Sequence, residues 1–357
     1  MEKINEIKKQ EKNYRYKKFV LWLVIFLVFL VVFLSVFLYN FSDKRDGFFG
    51  VMFKVIPYPA IVFDYSNFIF LSDVRKNVES LQRFYENQDF SEVGMRVDFS
   101  TEDGKGRLKI KEKDVLNKMI EDKAIEILAK KRGINITDKQ VKNGVLEEIQ
   151  KNGNNEESAE ENLKRLYGWT LVDFEKRIVT PEMYKEQLRE AIKGELASAS
   201  LQAKDTIEKA KKELDQGRDF AEVANKYSQG FTAKNGGEIG WITKDQLDSE
   251  IAKNIFGNHD NNKNDVIESL LGYHIVKVEE IKVENGVDMV RLKQIIIRKK
   301  TFIDWLDEKI KEMKISILIR GYYWNDEKQI IDFRDEDMRK KEKEIIEKSQ
   351  GDASIIF

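Results

Sequence analysis

Only two histidines, His259 and His274, occur in the 357 residues, and cysteine is absent. Thiol nucleophiles, disulfides and Cys-zinc centres are therefore excluded. His274 stands in Gly272-Tyr-His-Ile275, and the residues after it alternate Val276 and Val278 with Lys277 and Glu279, as in a half-buried strand. A histidine there has two readings: a group that hydrogen-bonds a reacting amide, or a buried structural imidazole bonded to its neighbours. His259, in a polar run, reads as a loop residue. The 63 acidic side chains are interleaved with 62 Lys and Arg, which is the pattern of solvated helix faces, and the net charge of −1 gives no broad basic field for nucleic acid. There is no P-loop, no G-x-S-x-G elbow, no HExxH pair and no Gly-rich dinucleotide turn. We expect no metal site, no cofactor and no nucleic-acid partner.

The elements that must position His274 lie just upstream. Phe220–Phe256 reads FAEVANKYSQGFTAKNGGEIGWITKDQLDSEIAKNIF, and Asp265–Ile281 reads DVIESLLGYHIVKVEEI. Gly236, Gly237 and Gly240 open backbone angles closed to other residues and let the chain turn tightly into a strand. Asn261 can stand in for a turn glycine.

This pattern, F-A-x-x-A-x-x-Y-S, then G-G-x-x-G-W, then a short helix and a final G-Y-H-I strand, resembles the parvulin-type peptidyl-prolyl isomerases. The resemblance implies two histidines on neighbouring strands, an acid or cysteine after the Y-S pair, and a Met-Phe pocket for the proline ring. Here one histidine matches, His274, and the other falls at Gln294. The acid or thiol falls at Gly230. The pocket falls at Leu247 and Ile251 with Phe256 retained, and Trp241 is expected to flank the groove. Gln294 could still hydrogen-bond His274. The chemistry implied is rotation about an X-Pro bond, where the usual amide barrier of roughly 18–20 kcal/mol is partly lowered. It needs an apolar pocket and polar groups that favour the twisted imide.

The family's first strand, R-H-I-L, is missing ahead of the first helix: Ala197–Ala203 continues a helical pattern. A matching strand follows instead, Val290-Arg-Leu-Lys-Gln-Ile-Ile-Ile297, after the hairpin signal Asn285-Gly286. We expect the first strand to be supplied from the other end, as in a circular permutation; the alternative is an extra edge strand on an incomplete sheet.

Between the N-terminal region and this domain the chain reads as helical. Pro57 and Pro59 exclude helix at the start, and Ala60–Phe63 suits a short edge strand. Leu71–Phe84 is apolar at helical spacing, Val115–Leu128 likewise with Gly133 as its stop, and Thr137-Asp-Lys-Gln140 is a capping box. Thr170 starts a helix with Phe174 and Ile178 inward, and Pro181 marks a joint before Met183–Leu196. Gly94–Lys111 and Asn152–Glu160 read as loops. The stretches AIVFDYSNFIF, VLNKMIEDKAIEILAKKRGINITDKQVKNGVLEEI and LYGWTLVDFEKRI resemble the chaperone region of SurA- and PrsA-type foldases. That resemblance implies that Phe302–Met313, with Phe302, Trp305, Leu306 and Ile310 on one face, and Ile315–Ile319, pairing with Ala60–Phe63, return to complete this region. The tail from Asp326 reads as a frayed helix or disorder.

Phe19–Tyr39 carries no charge. Its 21 residues would span about 31 Å as a helix, enough for a bilayer core. A cleaved signal peptide is the rival, but the run is long and lacks a small-x-small site. Lys3, Lys8, Lys9, Lys12, Arg15, Lys17 and Lys18 precede it, against Lys44, Arg45 and Lys54 after it, which orients the N-terminus to the cytoplasm. The expected architecture is α+β: cytoplasmic residues 1–18, a transmembrane helix over 19–39, a SurA-like helical domain over 56–199 completed by 300–325, an inserted parvulin-like domain with an antiparallel sheet over 200–298, and a charged tail over 326–357. The function implied is that of a single-pass extracytoplasmic folding factor acting on unfolded or proline-containing polypeptides. Three readings stay open: an active isomerase, a holdase with an inactive parvulin module, and a scaffold for a partner such as the secretion channel.

Overall fold

The computed structural model describes residues 17–27, 29, 30, 33, 58–87, 98–151, 153, 155–257 and 264–348. The chain divides into two compact units, Met1–Glu186 with Lys309–Phe357, and Gln187–Glu308.

In the first unit, β1 (Pro59–Phe63) and β2 (Asn67–Phe70) form a hairpin whose turn holds Asp64 and Tyr65 at φ 45° and 62°. β7 (Ile315–Ile317) pairs with the other side of β1, with Ile61 opposite Ile317. The pairing anticipated for Ile315–Ile319 is thus present, but β1 is the centre of the sheet and not its edge, and Ile61 and Phe63 are fully buried.

Helices α1 (Leu71–Asn87), α2 (Glu102–Lys131), α3 (Asp138–Lys151) and α4 (Glu156–Tyr167) follow. The starts of α2, α3 and α4 have a chemical cause. Thr101 accepts from Gly104 N at α2, Thr137 and Gln140 exchange hydrogen bonds at α3, and Asn155 and Ser158 do so at α4. The two polar stretches expected as loops are corrected in part, since Glu102–Lys111 and Glu156–Glu160 are helical. Their charges form the solvated face of a helix, a pattern that composition alone does not separate from a loop. Residues 94–97, 152 and 154 lie outside the described residues.

After the Thr170–Asp173 capping box, α5 (Leu171–Phe174) runs through a π-helical turn, Glu175–Val179, into α6 (Thr180–Ala191). Pro181 is therefore no joint. Proline lacks the N–H for an i→i−4 bond and its ring crowds the carbonyl four residues back, and the wider π turn relieves both problems without ending the helix. The inserted residue also turns the face: Phe174 packs against the Val141–Ile149 cluster, whereas Ile178, expected inward, is 45% exposed.

The charged tail, expected as a frayed helix or disorder, is ordered as far as the described residues run, to Lys348. β8 (Tyr322–Asn325) and β9 (Ile330–Phe333) form a hairpin with Tyr322, Ile331 and Phe333 buried, and α11 (Glu336–Lys348) follows. Lys113 of α2 is buried between Asp332 (3.6 Å) and Glu342 (2.5 Å), which fastens both elements to the helix.

The second unit holds α7 (Lys193–Asp215), α8 (Phe220–Tyr227), β3 (Glu238–Thr243), α9 (Ser249–Phe256), β4 (Val266–Glu268), β5 (Gly272–Glu284), β6 (Val287–Arg298) and the start of α10 (Phe302–Lys311). The four strands pair antiparallel in the order β3-β6-β5-β4. Asn285 and Gly286, at φ 53° and 80°, make the β5–β6 turn. The strand after this turn is therefore an inner strand, so the edge-strand alternative fails. One sheet face carries Tyr273, Ile275, Ile295 and Ile297 under α7 and α8; the other carries Val276, Val290 and Leu292 under Ile251 and Ile255 of α9. Phe302, Trp305, Leu306 and Ile310 of α10 are all buried, as their spacing predicts.

Residues 17–27 are helical with exposed side chains, and the rest of the expected 19–39 span lies largely outside the described residues, as does the flank bearing Lys44, Arg45 and Lys54. Among the described residues no helix is long and apolar enough to cross a membrane.

Candidate functional site

His274 sits in β5 opposite Ile296 of β6, and Gln294 lies one diagonal step away on the same face. Gly237, immediately before β3, fixes where that strand meets Gln294. Its carbonyl accepts from Gln294 N at 2.8 Å, and a Cβ on Gly237 would fall 2.5 Å from Gln294 O, so only glycine, here at φ 78°, permits the approach.

The His274 ring is 2% exposed and engaged at both nitrogens. Gln294 Nε2 donates to Nδ1 at 3.1 Å, which puts the ring proton on Nε2, 2.8 Å from Ser269 Oγ. Ser269 is 5% exposed and also accepts from Leu271 N at 3.0 Å. Burial pushes the imidazole pKa below its ordinary value; Asp248 acts in the opposite sense and Lys299 adds to the lowering. The ring is thus held neutral, with one donor and one acceptor already spoken for.

Ser269 was not among the residues the sequence singled out. Its only local signal is the tight turn into β5, where Ser269 N donates to Gly272 O at 2.8 Å and swings the hydroxyl back under the ring.

The expected pocket residues divide. Ile251 is 3% exposed and belongs to the core beneath the sheet; Leu247 and Phe256 are part-buried against the same core, on the His274 face. Lys244 Nζ caps the Phe256 ring at 5.2 Å. Trp241 is not brought to them. It pairs with Arg291, on the opposite face from Leu292 and Val276, and Lys282 Nζ lies 4.3 Å over its ring. The bulge between Glu238 and Gly240 sets that parity. Gly230 does approach the site: a Cβ there would lie 2.9 Å from Ile296 Cγ2, and the neighbouring Gln229 N donates to Ile296 O at 2.8 Å. His259 and Asn261 lie outside the described residues. No cluster of His, Asp and Glu able to hold a metal ion occurs among the described residues.

The family model for the PPIC-type PPIase (rotamase) domain matches residues 188–280. The match stops short of β6, so the inner strand that carries Gln294 lies beyond it. Among known proteins, foldase protein PrsA 1 of Bacillus cereus is 32% identical over 120 residues, 32% of this chain and 42% of that protein. Chaperone SurA of Idiomarina loihiensis is 33% identical over 102 residues, 28% and 23% of the two chains. Foldase protein PrsA of Bacillus subtilis is 32% identical over 94 residues, 26% and 32%. The chain spans less than half the length of these curated relatives. Its sheet unit carries the sequence of a PPIC-type domain around a histidine already saturated by its neighbours, and the chain is a parvulin-type relative of the PrsA and SurA foldases.

Proposed function

We propose that the chain is a membrane-anchored, extracytoplasmic folding factor that binds unfolded or proline-containing polypeptides and turns them over slowly, its parvulin-like unit contributing binding more than isomerisation. The observation that carries this reading is the enclosure of His274 between Ser269 and Gln294, with Gly230 at the place of an acid or thiol. An isomerase must spend hydrogen bonds on the twisted imide, and a neutral ring already bonded at both nitrogens has none to offer without breaking one. The strand β6 is read as the family's first strand supplied from the C-terminal side, which its inner position supports. The exposed apolar helix at 17–27 and the basic N-terminal flank support an uncleaved anchor with the soluble units outside.

A prolyl-peptide isomerisation assay beside an aggregation-suppression assay tests this. Suppression with isomerisation on the order of tenfold or more below an intact parvulin is expected, since one charge-assisted hydrogen bond is worth roughly 1.5–3 kcal/mol. Gln294→His with Gly230→Asp should raise turnover, at a cost in stability because Ile296 has to shift, and His274→Ala should remove the gain. Wild-type turnover at ordinary parvulin rates that survives His274→Ala would refute the assignment. External protease should digest the chain after about Asp43 in spheroplasts; full protection would refute the orientation.

A further inference from the structure

The first unit encloses a cavity of about 620 Å³ between β2, α1, α2 and the π turn. Its lining is mostly apolar, and two of those side chains stay open to solvent: Phe68 at 39% and Ile178 at 45% exposure. Ile178 is there because the π turn rotates it out of the helical core, and π insertions inside α-helices concentrate at functional sites.

The adjacent Arg177, also on the π turn and lining the cavity, is 6% exposed. Its Nη1 donates to Asn77 Oδ1 at 2.6 Å and its guanidinium lies 5.9 Å from the Trp169 ring centre, yet its buried Nε–H has no partner. A buried unpartnered donor on a charged group is costly. The Arg177 charge is balanced by Asp173, 3.5 Å from Nη2, and the charges at the rim neutralise one another: Lys176 with Asp73 at 2.8 Å, Lys118 with Asp122, and Glu126 with both Lys123 and Lys130. The cavity thus asks for an occupant without net charge that is apolar in bulk and presents one hydrogen-bond acceptor.

We propose that this cavity receives a large apolar side chain, aromatic or branched, of an extended polypeptide, and that Arg177 Nε–H donates to a backbone carbonyl beside it. An uncharged acyl chain would satisfy the lining but not Arg177, and a fatty-acid carboxylate would bring a negative charge that Asp173 already supplies. The inference rests on the chain-binding reading above and assigns it a place: an apolar receptor in the helical unit that requires no proline in its ligand.

The test uses the full chain in lipid nanodiscs and a fluorescent Gly-Ser dodecapeptide, free of proline, with one central Phe, beside the same peptide with Ser in that place. Wild type is expected to bind the Phe peptide on the order of tenfold or more tightly than the Ser peptide, the worth of burying one such side chain. Ile178→Asp, at a half-exposed position, should erase the difference with the melting temperature unchanged. Arg177→Lys, which keeps the charge but lacks Nε–H, should weaken binding severalfold. Discrimination that persists in Ile178→Asp, in a protein that suppresses aggregation, overturns the cavity assignment and leaves the chain-binding reading standing. A wild type that neither suppresses aggregation nor binds either peptide overturns both. Displacement by a long-chain fatty acid without any preference for Phe over Ser gives the cavity to lipid and overturns the proposal.

Discussion

The two units treat apolar surface and polar groups in opposite ways. Around His274 the sheet unit has closed: Ile251 is core, Leu247 and Phe256 pack down on it, and the imidazole, Ser269 and Gln294 satisfy one another. In the helical unit Ile178 and Phe68 stand open beside a cavity, and Arg177 keeps a buried donor unpaired. A satisfied network rigidifies its surroundings, whereas an unsatisfied one is a standing cost that a ligand can relieve. The difference indicates that catalytic resemblance and binding capacity need not reside in the same part of a chain.

The sharpest way to break the comparison is to unfold one unit and read the other. Leu292 is 1% exposed on β6, hydrogen-bonded strands lie on both sides, and proline there removes a ladder donor and a buried side chain together. Leu292→Pro is expected to abolish cooperative unfolding of the sheet unit while a separate transition from the helical unit survives in calorimetry. Loss of both transitions would show that the units do not fold independently.

A smaller effect is expected where the helical unit is itself tightly paired. Lys113→Ala leaves Glu342 without its buried counter-charge and Asp332 with only Lys328 at 3.8 Å, and breaking such a buried pair costs about 3–5 kcal/mol. Denaturant titration should register that loss, and proteolysis should reach α11 first. A change below about 1 kcal/mol, the scale of an exposed pair, would show that the tail is not clamped by this triad.

The smallest effect is a pH dependence specific to the sheet unit. The folded imidazole of His274 binds its proton more weakly than the unfolded one. Below an ordinary histidine value of about 6.5 the unfolded chain takes up a proton that the folded chain refuses. The stability due to the neutral ring is therefore full above that pH and falls as the pH drops towards the lowered folded value. His274→Gln should flatten this slope in urea melts taken between neutral and mildly acidic pH. An unchanged slope would place the titration elsewhere.

What could be read directly from the chain was whatever depends on near neighbours. The caps at Thr137 and Thr170, the Asn285-Gly286 turn and the buried stripe Phe302-Trp305-Leu306-Ile310 are local chemistry, and each folds as its spacing implies. The Gln294–His274 contact was legible through resemblance, because the strand pattern around Val290–Ile297 gives its register. Features that depend on parity or on distant segments were hidden. One extra residue in a bulge sends Trp241 to the far face, and one in the π turn brings Ile178 outward; neither insertion leaves a mark in a hydrophobicity pattern. The charged residues after Asp326 look like a solvated tail until Lys113, more than two hundred residues upstream, pairs with Asp332 and Glu342. Ser269 carries no periodic signal at all, and only the turn into β5 places its hydroxyl on the imidazole. Composition and spacing determined the capped and apolar-striped elements and excluded thiol chemistry; the tertiary structure decided which polar stretches are helical and which face each side chain occupies, because burial and hydrogen-bond satisfaction are properties of what arrives from elsewhere in the chain.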